Sequence, residues 1–184
     1  MFGKILIGVA GVLVLFVAVV ATRTSAYHVE RRLEVAAPAE VVFGVLNDLH
    51  QFADVLVLFG SPWMELDLNM QKTIEGPEAG VGQSYAWNSR KEIGQGKLTI
   101  EESVPGRKVG MQLEFVKPMK STATVALTLA GTPTGSMVTW SMDGNHNFLG
   151  KAMGLFMNMD RMLGADIEKG LGRLKTVAEG KPQF

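Results

Sequence analysis

The chain opens on an apolar run, Ile5 to Ala21, that contains no charge and no strongly polar group. The run has no polar face, so it reads as a helix meant for an apolar surrounding rather than for one side of a soluble core. It lies at the short end of the roughly 17–25 residues that cross a bilayer. Lys4 and Arg23 bracket it, as expected where a helix meets headgroups. We expect a single-pass membrane anchor over residues 1–25, making membrane contact through residues 5–21. A cleaved signal peptide is the alternative, since Thr24-Ser25-Ala26 precedes Tyr27 as small residues do at a cleavage site. The apolar run is long for that role, where about 7–15 residues are usual. Basic residues flank it on both sides, so the side of the membrane that carries the remainder stays open.

From Tyr27 the period becomes two. Val29, Arg31, Leu33 and Val35 share one face of a first strand, and His28, Arg32 and Glu34 share the other. Arg31 on the apolar side reads as the frayed, anchor-proximal end of that strand. At Ala37-Pro38 the pattern switches to a helix: Pro38 suits a first turn, and Glu40 complements the helix dipole. Val41, Val42, Val45, Leu46 and Leu49 form its stripe. A second short helix follows, then a loop marked by Gly60-Ser61-Pro62.

Six further strands are expected: 69–75, the QSYAWNS segment, 92–102, 107–115, 122–130 and 137–144, with turn residues between them. Leu98 and Ile100 oppose Lys97 and Thr99, and Val125, Leu127 and Leu129 oppose Thr124 and Thr128. Such alternation marks an antiparallel sheet with one face in water. The last element is a long amphipathic helix, about 150–179, with Phe156, Met159, Leu163, Ile167, Leu171 and Leu174 at three-and-four spacing. Gly164, Gly170 and Gly172 lower its intrinsic propensity and suggest close backbone packing. The fold class is α+β: a curved seven-stranded antiparallel sheet around a long C-terminal helix, one or two short helices after the first strand, and an N-terminal transmembrane helix. The folded domain is 26–184.

Charge narrows the functions. Lys and Arg number 18 against 18 Asp and Glu, and removing Lys4 and Arg23 leaves the domain slightly acidic. A nucleic-acid binder needs a basic face, so none is expected. With no cysteine, disulfides, thiolate chemistry and Cys-based zinc sites are excluded. His50 and Asp54 share a helix face with Asp48 nearby, a pattern more often solvated than metal-binding, and no metal or cofactor is expected. GNHNFLGKA fails the phosphate-loop count, and GQSYA enters a strand where a nucleophile elbow needs a turn into a helix. His146 and Asp143, just past the last strand, are the weak candidates for acid–base work.

The segments VAAPAEVVFGVLNDLHQF, SPWMELD, GVGQSYAW, GQGKLTIEES, LEFVKPM, MVTWSMDG and KGLGRLKTVAE, in this order and spacing, resemble the START-like, Bet v 1-like helix-grip superfamily. Within it the chain is similar to the SRPBCC proteins often labelled polyketide cyclase/dehydrase or lipid transport, and to a membrane-anchored subgroup. The resemblance implies an apolar cavity between sheet and final helix. It supplies no shared catalytic motif. Trp63, Tyr85, Trp87, Phe115 and Trp140 lie on loops or apolar strand faces, joined by Met111 and Met142 and, on the last helix, by Phe156, Met159 and Leu163. Most of these serve a packed core; several are also expected to line the cavity, where deformable Met suits variable apolar ligands. The expected function is membrane-anchored binding of a hydrophobic small molecule or lipid, with no chemistry. The alternatives are a cyclase/dehydratase-like or hydrolase enzyme, and a partner-binding domain with a filled core whose protein partner is unknown.

Overall fold

The computed structural model describes residues 2–58, 61–62, 67, 69–89, 93–156 and 158–180. Helix α1 (Phe2–Thr22) is followed by strand β1 (Ala26–Val35) and the short helices α2 (Ala39–Leu46) and α3 (Leu49–Phe52). A two-residue hairpin, β2 (Val57–Leu58) and β3 (Ser61–Pro62), stands where the sequence reads as loop. Then come β4 (Gln71–Glu75), β5 (Ser84–Asn88), β6 (Gln95–Val104), β7 (Lys108–Lys117), β8 (Ser121–Thr132) and β9 (Gly135–Asn145). Helices α4 (Phe148–Met153) and α5 (Met159–Ala178) close the described chain.

The seven-stranded sheet runs β1-β9-β8-β7-β6-β5-β4, with every neighbouring pair antiparallel. This is the expected α+β fold. Only β1 travels far in sequence to its partner, so the chain must leave β1 at once and cross to the opposite edge. The switch at Pro38 does this: its carbonyl accepts from Val41 and Val42 N–H and starts α2. Pro38 itself stays extended, at φ −57° and ψ 149°, and is the cap rather than a first-turn residue. Two register shifts in the β6–β7 ladder, at Gln95/Gly96 and Ile100/Glu102, bend the sheet there. The inward faces of β6 to β9 and the Ile167, Leu171 and Leu174 stripe of α5 share one core with α2 and α3.

Three expectations change. The long final helix is two helices, because Asn158 accepts from Arg161 N–H and Asn147 accepts from Gly150 N–H, each capping a separate start. Phe156 falls in the break between them and is 79% exposed, so it does not belong to the inward stripe. Arg31 does not mark a frayed end: its guanidinium donates to Glu168 at 2.8 Å and to Asp160 at 3.1 Å, tying β1 to α5. As for α1, among the described residues no helix is long and apolar enough to cross a membrane. The side chains of α1 are described from Leu6 onward.

Two of the three helix glycines are explained by contact. Trp140 lies on Gly170, where an added Cβ would meet the indole at 2.9 Å, and an added Cβ at Gly164 would run into the Arg31 guanidinium. Gly172 faces open space, and no packing reason for it is visible. A thermodynamic cycle tests the Gly164 reading. Gly164→Ala gains about 1 kcal/mol of helix propensity but displaces Arg31 from its two carboxylates. In urea unfolding it is expected to be neutral or slightly destabilising in the native sequence, and stabilising by about 1 kcal/mol in an Arg31→Ala background.

Candidate functional site

The sheet interior facing α5 collects most of the residues expected to line a cavity. Tyr85 and Trp87 sit on β5 with ring centroids 6.2 Å apart, and Trp87 meets Phe115 of β7 edge-on at 5.6 Å. Met111 and Trp140 are buried in the same core, with Met142, Phe115 and Leu163 partly buried against it. Period two puts these side chains on one face. Burial, with a contribution from the negative charge of Asp54, pushes the Tyr85 hydroxyl up to about 12, so it stays protonated across the physiological range. Trp63 and the side chain of Met159 lie outside the described residues. Phe156 stands apart from this interior and stacks at 6.5 Å on Phe16 of α1.

One polar atom in this interior stands out. Trp140 is buried, tilted against Phe52 at 5.6 Å, and its indole N–H is the buried side-chain donor that has no hydrogen-bond partner among the described residues. An unpaired buried donor costs about 1–3 kcal/mol. In a mostly apolar surrounding that also holds the Tyr85 hydroxyl, it is a donor that favours an acceptor.

The candidate acid–base pair is not brought together. Asp143 and His28 face each other across β9 and β1, and the carboxylate meets His28 Nδ1 at 2.7 Å, well exposed. His146 instead stacks on Tyr27 at 4.5 Å, and its backbone N–H donates to Ser25. Partial burial there holds the imidazole below its ordinary value of 6.5. An unfolded chain therefore binds this proton more readily than the folded one, and stability falls as pH drops below about 6.5. Replacing His146 by Phe keeps the stack and removes the titration. Thermal midpoints between pH 5 and 8 are expected to slope less in His146→Phe than in the native chain.

At the opposite end, Asp48 caps α3 and meets His50 Nδ1 at 2.9 Å. Burial pushes its carboxyl up, but hydrogen bonds from Gln51, His50 and Gln83 together outweigh this and hold it low. Gln83 is fully buried and donates to the Glu78 carbonyl while accepting from Leu49 N–H, so this cluster is a structural clasp between α3 and the β4–β5 turn. No group of His, Asp and Glu among the described residues is arranged to hold a metal ion.

A cleft of about 550 Å³ lies outside the core, between the end of α1 and α4, with Arg23, His146, Lys151, Phe156 and Asn158 in its wall. The sequence does not show it because its residues come from two stretches over a hundred residues apart, 23–24 and 146–158. Sequence reasoning also missed Phe52 beside Trp140, a residue whose helical stripe position was the available signal.

Against this geometry, the match of residues 26–179 to the family described as polyketide cyclase / dehydrase and lipid transport is decisive. The chain belongs to that family. None of the curated proteins matches the sequence. Solved structures resemble it in fold. A Thalictrum norcoclaurine synthase point mutant superposes with a TM-score of 0.60 at 13% identity, covering 86% of this chain and 98% of that one. A Chromobacterium violaceum protein gives 0.59 at 16% identity, covering 85% and 98%. The di-domain aromatase/cyclase StfQ of steffimycin biosynthesis gives 0.58 at 16% identity, covering 85% of this chain and 51% of StfQ. At such identities the likeness concerns the fold alone.

Proposed function

We propose that this family member is a membrane-anchored module that binds a hydrophobic small molecule or lipid between the sheet and α5. The observation that carries the reading is the unpaired Trp140 N–H in an apolar interior, which suits a ligand with an apolar body and one acceptor oxygen. The family description, which includes lipid transport, supports the same ligand class. For the anchor, α1 is 21 residues long. At 1.5 Å per residue such a helix reaches about 30 Å, although its described side chains, from Leu6 on, do not by themselves amount to a crossing span. Its Leu, Ile and Val side chains from Leu6 to Leu15 are about two-thirds or more exposed, and it meets the domain near its end, where Phe16 stacks on Phe156. On this reading residues 1–25 form a single-pass anchor and the domain starts at residue 26. An enzyme of the cyclase or dehydratase kind is the second reading, favoured by the family description and by StfQ. The geometry does not bring the candidate pair together, since Asp143 meets His28 and His146 stacks on Tyr27.

The test is native mass spectrometry of the full chain released from detergent, with organic extraction of what it carries. A discrete lipid or aromatic compound near one per chain is the expected result. A bare mass, with no uptake from a panel of lipids and aromatic compounds, would turn the assignment toward a partner-binding domain.

A further inference from the structure

We infer that the end of the sheet from which α1 departs is a bilayer-docking surface, and that its cleft takes the phosphate headgroup of an anionic phospholipid. This rests on the anchor reading of α1 and adds the orientation and lipid contact of the domain.

The covalent geometry comes first. Helix α1 ends at Thr22 and β1 starts at Ala26. The link, Arg23-Thr24-Ser25, extends at most about 10 Å at 3.3–3.6 Å per residue. His146 N–H, bonded to the Ser25 carbonyl at 2.7 Å, fixes the link to the end of β9. A helix in the bilayer therefore holds this end of the sheet at headgroup level.

The ladder registers show what else is there. Ala26 pairs with Asn145, Gly144 with Ala123, and Ser121 with Phe115, so the β7–β8 turn and the β9–α4 connection share this end with the root of α1. Asn147 and Met119 touch across it. The exposed hydrophobic side chains are sorted accordingly. Outside α1, the exposed Phe, Leu and Met side chains among the described residues are Met119, Phe148, Leu149, Met153 and Phe156, all at this end. Among the described residues, the large exposed hydrophobics at the opposite end are the valines Val41, Val81 and Val104. Aromatic and long aliphatic side chains on a short surface helix beside an anchor suit insertion about 5–10 Å into the headgroup boundary.

Charge agrees. Arg23, Lys117 and Lys120 stand exposed around these residues, and Lys151 is half-buried in α4. Arg23 and Lys151 share the 550 Å³ cleft with Asn158, His146 and Phe156, which offers cations, polar side chains and an apolar wall together. The acidic groups nearest the cleft residues in sequence are ion-paired, Asp143 with His28 and Asp160 with Arg31, and at the rim exposed Glu114 lies three residues before Lys117. Basic residues at this level favour anionic lipid.

The chain has no cysteine, so single-cysteine variants label uniquely. The full chain carrying Val12→Cys, Met119→Cys, Phe156→Cys or Val81→Cys would be tagged with an environment-sensitive dye. Each would be reconstituted in phosphatidylcholine vesicles, with or without phosphatidylglycerol, containing a lipid-borne quencher. Blue-shifted, quenched emission at 12, 119 and 156, with Val81→Cys unaffected, is the expected result. Quenching at 12 but not at 119 or 156 overturns the docking surface and leaves the anchor standing. Quenching at 119 and 156 but not at 12 keeps the surface and removes the anchor. The headgroup part requires stronger quenching at 156 when phosphatidylglycerol is present. Equal quenching in both vesicles removes it.

Discussion

Replacing Gly96 by alanine is expected to cost about 3 kcal/mol, the upper end of what overpacking usually costs. Gly96 sits at the bulge of β6, opposite Trp87 on β5 and Phe115 on β7. A Cβ there would run into the Glu114 carbonyl oxygen on one side and the six-membered ring of Trp87 on the other. Neither neighbour can give way. The carbonyl belongs to a paired strand, and the fully buried indole is held between Tyr85 and Phe115. For a chain of this size the midpoint of thermal unfolding, followed by circular dichroism, should fall by about 6–12 °C. Gly131→Ala is the control, since an added Cβ there meets nothing within 4 Å. A second substitution, Trp87→Phe, should recover part of the loss in the Gly96→Ala chain, because it removes the part of the ring that the new methyl strikes.

The same bulge shows what the sequence could and could not convey. Alternation at Leu98 and Ile100, or at Val125 to Leu129, is visible because one face of each strand meets water and the other does not. That condition holds across the sheet, so strand number and order of elements are legible. The division of the last helix is not. Phe156, Met159 and Leu163 continue a helical spacing through the break, and the decisive chemistry is a pair of asparagine caps whose effect depends on competing backbone bonds. Arg31 is a different failure. A lone arginine on an apolar face carries no local sign of its partners, which lie over a hundred residues away as Asp160 and Glu168. Gly164, wedged beneath that guanidinium, was the available clue: a glycine in a helix and an arginine on a strand answer each other's anomaly. Of the site, the aromatic set around Trp87 could be read from period two. The cleft at the root of α1 could not, because nothing in sequence places Arg23 beside Lys151.

Trp140 separates packing from ligand recognition. Trp140→Ala is expected to cost about 3–5 kcal/mol, as removal of a large buried aromatic does, because Phe52 and the bare backbone of Gly170 are left facing a void. Trp140→Phe should cost far less. It loses some contacts of the larger ring, but it also removes a buried N–H with no partner, whose desolvation works against folding by about 1–3 kcal/mol. In the bound state the balance reverses. If the N–H meets an acceptor on the ligand, phenylalanine forfeits that bond, and the compound carried through purification should fall about five- to tenfold relative to native chain, as about 1 kcal/mol implies. The unfolding midpoint of the ligand-free protein should stay nearly unchanged. Unchanged loading in Trp140→Phe would move the acceptor of the ligand away from β9 and leave the unpaired indole as a cost of packing alone.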